Sequence, residues 1–280
     1  MEGVKEFINV LAERSIEANK ATEGDYYDNE GLLVCGVCHT HKQCKIAPFG
    51  EERIVGCICQ CEVDKRNAEK AERERAELEK RVKELRRAGF PESDMQNWTF
   101  ANDDNTNPKI TKAMMNYVDN FTDLRKAGKG LLMYGSVGTG KTYAACEVAN
   151  ALIDKGYPVL VTNFARLINT LQGTFEKQEY IDSLNRFQLI VIDDLGIERD
   201  TPFAREQVYN IIDGRYRAGL PMIITTNLSI DKIKNPDEME NKRIYDRILE
   251  RCFPVEVAGN SRRVKAIRES YNDMKNLLGL

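Results

Sequence analysis

Residues 135–142 read Gly-Ser-Val-Gly-Thr-Gly-Lys-Thr and meet the pattern G-x-x-x-x-G-K-[ST] at every fixed position. Before this run lies the short apolar stretch 130–134. After it, residues 143–153 are rich in helix formers and free of Gly and Pro. A strand, a glycine-rich turn and a helix start together make a cradle of backbone N–H groups at the positive end of a helix dipole. Gly135, Ser136, Val137, Gly138, Thr139, Gly140, Lys141 and Thr142 are therefore expected to hold the phosphates of a nucleoside triphosphate. Lys141 would reach the β- and γ-phosphates as a point charge, and the Thr142 hydroxyl would ligate Mg²⁺.

A phosphate cradle of this kind implies an α/β fold, and the downstream pattern agrees. Residues 158–163, 187–192 and 222–227 are near-continuous apolar runs, separated by segments of helical character at 164–171 and beyond, with another helix expected at 112–126. Apolar strands alternating with helices predict a parallel sheet covered on both faces. The run ending in Asp193 and Asp194 is expected to lie beside the phosphate-loop strand, with Asp193 holding Mg²⁺ and Asp194 polarising an attacking water. Residues 225–227, Thr-Thr-Asn, repeat the arrangement at the next strand end. There the Asn227 amide could orient water or sense the γ-phosphate, and ordinary turn chemistry is the alternative. Arg243, Arg247 and Arg251 recur every four residues and form one stripe of a helix beside Ile244 and Ile248. On spacing alone, the stripe reads equally as a solvated basic face or as the source of an arginine finger for a neighbouring subunit.

The cysteines point to a second kind of site. Six of eight (Cys35, Cys38, Cys44, Cys57, Cys59 and Cys61) fall within 27 residues, whereas Cys146 and Cys252 stand alone in apolar surroundings as small core residues. Two cysteines at i, i+3 can grip one metal from a single turn, and a second cluster about 20 residues on can complete a tetrahedron. Four protein ligands leave no open position, so structural zinc is expected. Cys35, Cys38, Cys59 and Cys61 are the preferred ligands. Cys57 is a close substitute, and Cys44, His39 and His41 stand further off. A segment this poor in large apolar residues needs such a clip to fold.

The 280 residues divide by pattern into a zinc-binding segment at 1–61, a charged linker helix at 62–91 and an ATPase domain at 92–280. A short helix is expected at 4–20. Within 62–88, 18 of 27 residues are charged with mixed signs, which reads as a solvated helix held by i,i+4 pairs. The net charge of −3 argues against a uniformly basic nucleic-acid binder. No apolar stretch approaches the roughly 18 residues of a membrane span, and the first residues lack a signal-peptide pattern, so a cytoplasmic location is expected.

Taken together, Gly-Leu-Leu-Met-Tyr-Gly-Ser-Val-Gly-Thr-Gly-Lys-Thr, Ile-Asp-Asp-Leu-Gly, Thr-Thr-Asn-Leu and Arg-Ile-Tyr-Asp-Arg resemble the AAA+ ATPases of the DnaC/DnaI helicase-loader family over residues 98–263. The resemblance implies ATP as the nucleotide, 135–142 as Walker A, Asp193 and Asp194 as Walker B, and Asn227 as sensor 1. It also implies Arg247 as the arginine finger, with Arg243 as a possible substitute, and Arg263 as sensor 2, with Arg262 as a substitute. The second Walker B acid is Asp194, where many AAA+ ATPases have Glu; a shorter side chain suits a slow switch better than a fast motor. Loaders of Gram-positive and phage type are similar in carrying an N-terminal zinc module that contacts the helicase. The partners implied are a DnaB-like hexameric helicase, single-stranded DNA and further copies of the chain. A transposition helper ATPase has a similar core and is the nearest rival. A zinc adaptor with a vestigial ATPase is the rival from another class.

Overall fold

The computed structural model describes residues 2–90, 92–196, 201–259 and 261, together with 271, 274, 275, 277 and 278. The chain forms two compact units, 1–78 and 79–280, and the division falls within a long helix rather than at either of its ends.

In the first unit, α1 (Glu2–Ala18) precedes two small antiparallel ladders. One pairs β1 (Tyr26–Tyr27) with β2 (Leu33–Val34), and the other pairs β3 (Gln43–Ile46) with β4 (Arg53–Gly56). Side chains join the pieces. Gln43 Oε1 accepts from the Leu33 N–H at 3.0 Å, and Ser15 Oγ accepts from the Gly56 N–H at 2.9 Å. Among the described residues of this unit, Leu32, Leu33, Val34, Cys35 and Cys59 are the buried apolar ones, a small core. Helix α2 (Gln60–Gly89) begins here; Gly89 is its one fully buried residue among those described, and within the second unit Val82 and Leu85 pack partly buried against the core.

The second unit opens with α3 (Pro108–Asp119) and α4 (Phe121–Lys126), where the sequence suggests one helix. Asn120 breaks it, turning its amide back onto the Asn116 carbonyl at 2.8 Å. Then follow β5 (Gly130–Tyr134), α5 (Lys141–Asp154), β6 (Val159–Asn163), α6 (Phe164–Gly173), α7 (Lys177–Ser183), β7 (Leu189–Leu195), α8 (Pro202–Ala218), β8 (Met222–Thr226), α9 (Ile230–Lys234), α10 (Met239–Arg251) and β9 (Cys252–Glu256). Polar caps set the helix starts: Asn107 before Pro108, Asn163 before Phe164 and Thr201 before Pro202 each accept a backbone N–H from the first turn.

The five strands are parallel in the order β6-β7-β8-β5-β9. This corrects one expectation. The strand bearing Asp193 and Asp194 is not beside the phosphate-loop strand, because β8 lies between them and pairs with both. Strand β9 escapes a reading of apolar runs, since Pro254 interrupts it and Phe253 is 71% exposed. A proline is tolerated there because β9 is an edge strand. Along the central strands successive side chains enter opposite layers. Leu132, Ile190, Ile192 and Ile224 pack with α6, α8 and α10, whereas Leu131, Met133, Val191 and Ile223 pack with α3 and α5. Both faces are thus covered, as near-continuous apolar strands require. Among the described residues, no helix is long and apolar enough to cross a membrane.

Candidate functional site

The C-terminal ends of β5, β7 and β8 converge on one cluster of polar groups. Residues 135–140 wrap the turn from β5 to α5, and two glycines make that path possible. Gly135 has φ +148°, and a Cβ on it would sit 2.5 Å from the Val257 carbonyl oxygen. Gly140 has φ +96° and caps α5 at its N-terminus. Thr139 Oγ1 donates to the Ser136 carbonyl at 3.0 Å and tightens the loop, whose Val137 side chain is exposed.

Lys141, the first residue of α5, is 5% exposed and folds back over the loop. Its ammonium donates to the carbonyls of Gly135 (2.9 Å) and Ser136 (2.8 Å) and to Asn227 Oδ1 (2.8 Å). Thr142 Oγ1 lies 2.9 and 3.1 Å from the two carboxylate oxygens of Asp193. The loop lysine, the loop hydroxyl, the first strand-end acid and the strand-end amide therefore occupy one hydrogen-bonded site, although their motifs lie far apart in sequence. Hydroxyl and carboxylate oxygens side by side are the donor set that Mg²⁺ accepts.

Asp194 sits at the same end with φ +59°, a left-handed conformation uncommon outside glycine and Asn/Asp. The pairing of β7 with β8 shifts register between Ile192 and Leu195 at this point. The hydroxyl of Thr225, a residue that sequence reasoning passed over in favour of Asn227, bonds to both parts of the kink. It donates to Asp193 Oδ1 and accepts from the Asp194 N–H at 3.0 Å. Beside the loop, Tyr143 stacks on Trp98 with ring centroids 5.6 Å apart, at the edge of a recess lined by Asp103, Asn107 and Glu147.

Arg247 lies elsewhere, on α10. Its Nε forms an ion pair with Asp213 Oδ1 at 2.8 Å, and its guanidinium lies 4.6 Å from the Tyr209 ring centroid. The stripe expected from the sequence is present: Ile244 and Ile248 are buried, and Arg243 is exposed. Arg262 and Arg263 lie outside the described residues.

In the first unit, the sulphur atoms of Cys35, Cys38, Cys59 and Cys61 all lie within 4.8 Å of one another. Cys35 and Cys38 occupy a knuckle in which the His39 N–H returns to the Cys35 carbonyl at 2.9 Å. Cys59 and Cys61 straddle the start of α2. Cys57 points away, its thiol donating to the His41 carbonyl at 3.4 Å. His41 pairs with Asp28 at 2.8 Å, and His39 lies against Tyr26. The Thr40 hydroxyl, 3.0 Å from the sulphur, pulls the Cys38 thiol down to about 5, and the neighbouring Cys38 pushes Cys61 up to about 12. An outer support was not foreseen from the sequence. Asp25 accepts from the Gly36 N–H at 3.0 Å, inside the knuckle, and is itself held by Lys42 at 2.6 Å. Four thiols with no carboxylate and no histidine fit zinc in a closed tetrahedral site.

The family of IstB-like ATP binding proteins matches residues 63–270, most of the chain. The chain belongs to that family. Among relatives of this IstB-like protein, the replicative helicase loader DnaI of Bacillus subtilis is 25% identical over 201 residues, covering 66% of this chain and 64% of DnaI. The chain thus spans just under two thirds of that relative's length. An insertion-sequence ATP-binding protein of Mycobacterium tuberculosis is 27% identical over 204 residues, covering 71% of this chain and 78% of its own. The helicase loader DnaC of Escherichia coli is 24% identical over 119 residues, covering 41% and 47%. Crystal structures of DnaI and of the DnaC helicase loader both superpose with a TM-score of 0.51 at 23% identity. They cover 62% and 60% of this chain, and 94% and 100% of theirs. The second unit therefore has the α/β fold of those two crystal structures, with its phosphate loop at the end of β5.

Proposed function

We propose that this IstB-like protein is an ATP-controlled loader of a DnaB-like hexameric replicative helicase. The observation that carries the reading is the pairing of a four-thiol cluster with an AAA+ unit related to DnaI and DnaC. In this reading the first unit binds Zn²⁺ through Cys35, Cys38, Cys59 and Cys61 and grips the helicase. The second unit binds ATP, self-associates and contacts single-stranded DNA.

The chemistry assigned to the site is slow hydrolysis of the terminal phosphoanhydride. The N–H groups of 135–142 and the Lys141 ammonium hold and neutralise the phosphates, which draws Lys141 off the loop carbonyls. Thr142 and Asp193 would hold Mg²⁺, which would supply charge neutralisation to the phosphates. Asp194 positions the water, and Asn227, released from Lys141, reports on the γ-phosphate. Arg247 serves as the finger towards a neighbouring copy, for which it must leave Asp213 and Tyr209. Arg243 on the same stripe is already exposed and is the alternative finger. Arg263 is assigned to sensor 2 on resemblance alone.

The test is co-purification with the replicative helicase encoded by the same genome, together with ATPase measured with and without single-stranded DNA. Absence of both helicase binding and DNA stimulation would sink the loader reading. The insertion-sequence relative, which matches a longer share of its own length than DnaI does, favours a second reading as a transposition helper. Capture of a transposase rather than a helicase would establish it. A K141A variant that loads helicase normally would instead support an adaptor whose ATPase is vestigial.

A further inference from the structure

Strand β8 lies between the loop strand and the acid-bearing strand, and its last two residues are threonines with no exposed surface. Up to Ile192 the β7·β8 ladder is regular, with Ile192 opposite Ile224; it resumes at Leu195 opposite Thr226. Asp193 and Asp194 are thus two residues facing one, Thr225, which is the count of a β-bulge. Consecutive residues of a regular strand point to opposite faces, so a plain ladder would send one of the two acids into a core layer. The left-handed turn at Asp194 removes that conflict and interrupts the ladder, and the threonine hydroxyls bond to the backbone there. Thr225 accepts from the Asp194 N–H while donating its one proton to Asp193 Oδ1, and Thr226 donates to the Leu195 carbonyl at 2.8 Å.

We propose that Thr225 is the positioning residue of the metal site: its hydroxyl fixes Asp193 against Thr142 in the geometry that receives Mg²⁺, without touching nucleotide or metal itself. The proposal rests on the nucleotide reading of this site. Valine keeps the branched shape but lacks the hydroxyl, whereas serine keeps the hydroxyl. Losing the hydroxyl removes one of the two hydroxyl contacts that orient the Asp193 carboxylate, the other being Thr142, and removes the Thr225 acceptor from the Asp194 N–H.

The experiment compares wild type, T225V and T225S by binding of a fluorescent ATP analogue in EDTA and across a Mg²⁺ titration, alongside steady-state ATPase. T225V should bind the analogue in EDTA as wild type does. Its half-saturating Mg²⁺ concentration should rise, and its kcat fall, by about 10–100-fold, the range for supports of metal ligands. T225S should restore both. An unchanged Mg²⁺ dependence in T225V overturns the proposal, as does an equal loss of binding with and without Mg²⁺. If T225V lacks the wild-type thermal transition, T225A takes its place against T225S, and identical Mg²⁺ dependence in that pair overturns the proposal too. Failure of the wild-type chain to bind the analogue at all would overturn the nucleotide reading instead.

Discussion

Lys141 Nζ donates to Asn227 Oδ1 across 2.8 Å, joining the loop after β5 to the end of β8 over 86 residues of sequence. The amide is held where it can exchange the ammonium for a phosphate-bound water. Asn227→Ala should therefore lower kcat by about 10–100-fold, the value of one hydrogen bond to a charged group, while nucleotide affinity stays near wild type. Lys141→Ala should abolish binding itself. Equal turnover of N227A and wild type would remove Asn227 from the mechanism.

The thiol cluster makes a prediction about selectivity among cysteines. Metal analysis of the purified chain should return about one zinc per chain, the content of a single closed four-ligand site. Cys35→Ser should lose it, and the first unit should become sensitive to protease, because a core this small relies on the clip. Cys57→Ser should keep the metal, since Cys57 bonds to the His41 carbonyl instead. Zinc retained in C35S but lost in C57S would refute the assignment.

Asp25 gives the first unit an acid limb. The Lys42 ammonium, with the N–H groups of Thr22 and Gly36, holds its carboxyl far below the usual carboxylate range. Since the folded-state pKa is the depressed one, the stabilisation is complete above the unfolded value of about 3.9 and is lost as pH falls below it. Melting temperatures measured from neutral pH downwards should fall more steeply for wild type than for Asp25→Asn in that acid range. Parallel curves would show that the Lys42–Asp25 pair contributes nothing.

Arg247 and Arg243 can be separated because Arg247 pairs with Asp213 and Tyr209 within its own chain, whereas Arg243 is exposed. Arg247→Ala should cost about 1–2 kcal/mol of stability through the lost contact with Tyr209 and the ion pair with Asp213. Arg243→Ala should melt as wild type. If Arg247 is the finger, mixing R247A with K141A should restore ATPase, since each supplies what the other lacks. Wild-type turnover by R247A alone would pass the role to Arg243.

Legibility in the sequence followed the kind of interaction involved. Contiguous chemistry was readable: residues 135–142 stand out because the fixed positions of the pattern each answer to one phosphate geometry. Apolar runs gave four strands and the two-sided sheet. Relations set by strand order were hidden. Nothing in the run 187–192 reveals that β8 separates it from β5, and the Thr225 bridge follows from a register shift. Spacing alone preferred Cys59 and Cys61 but left Cys57 a close substitute; the start of α2 at Gln60 brings Cys59 and Cys61 to the knuckle. Strand β9 was obscured by Pro254, and the Arg247 contact by its dependence on how α10 packs on α8.

The interposed strand also bears on how long the molecule survives. Because the site draws on the ends of β5, β7 and β8, which at least one helix separates in sequence, a bound triphosphate would act as a removable staple across the sheet. Occupancy at a hundred times Kd would add about 2.7 kcal/mol to the unfolding free energy of the second unit. Resistance to proteolysis should then rise and fall with the supply of nucleotide, so that an energy-starved cell would clear this chain faster than a well-fed one.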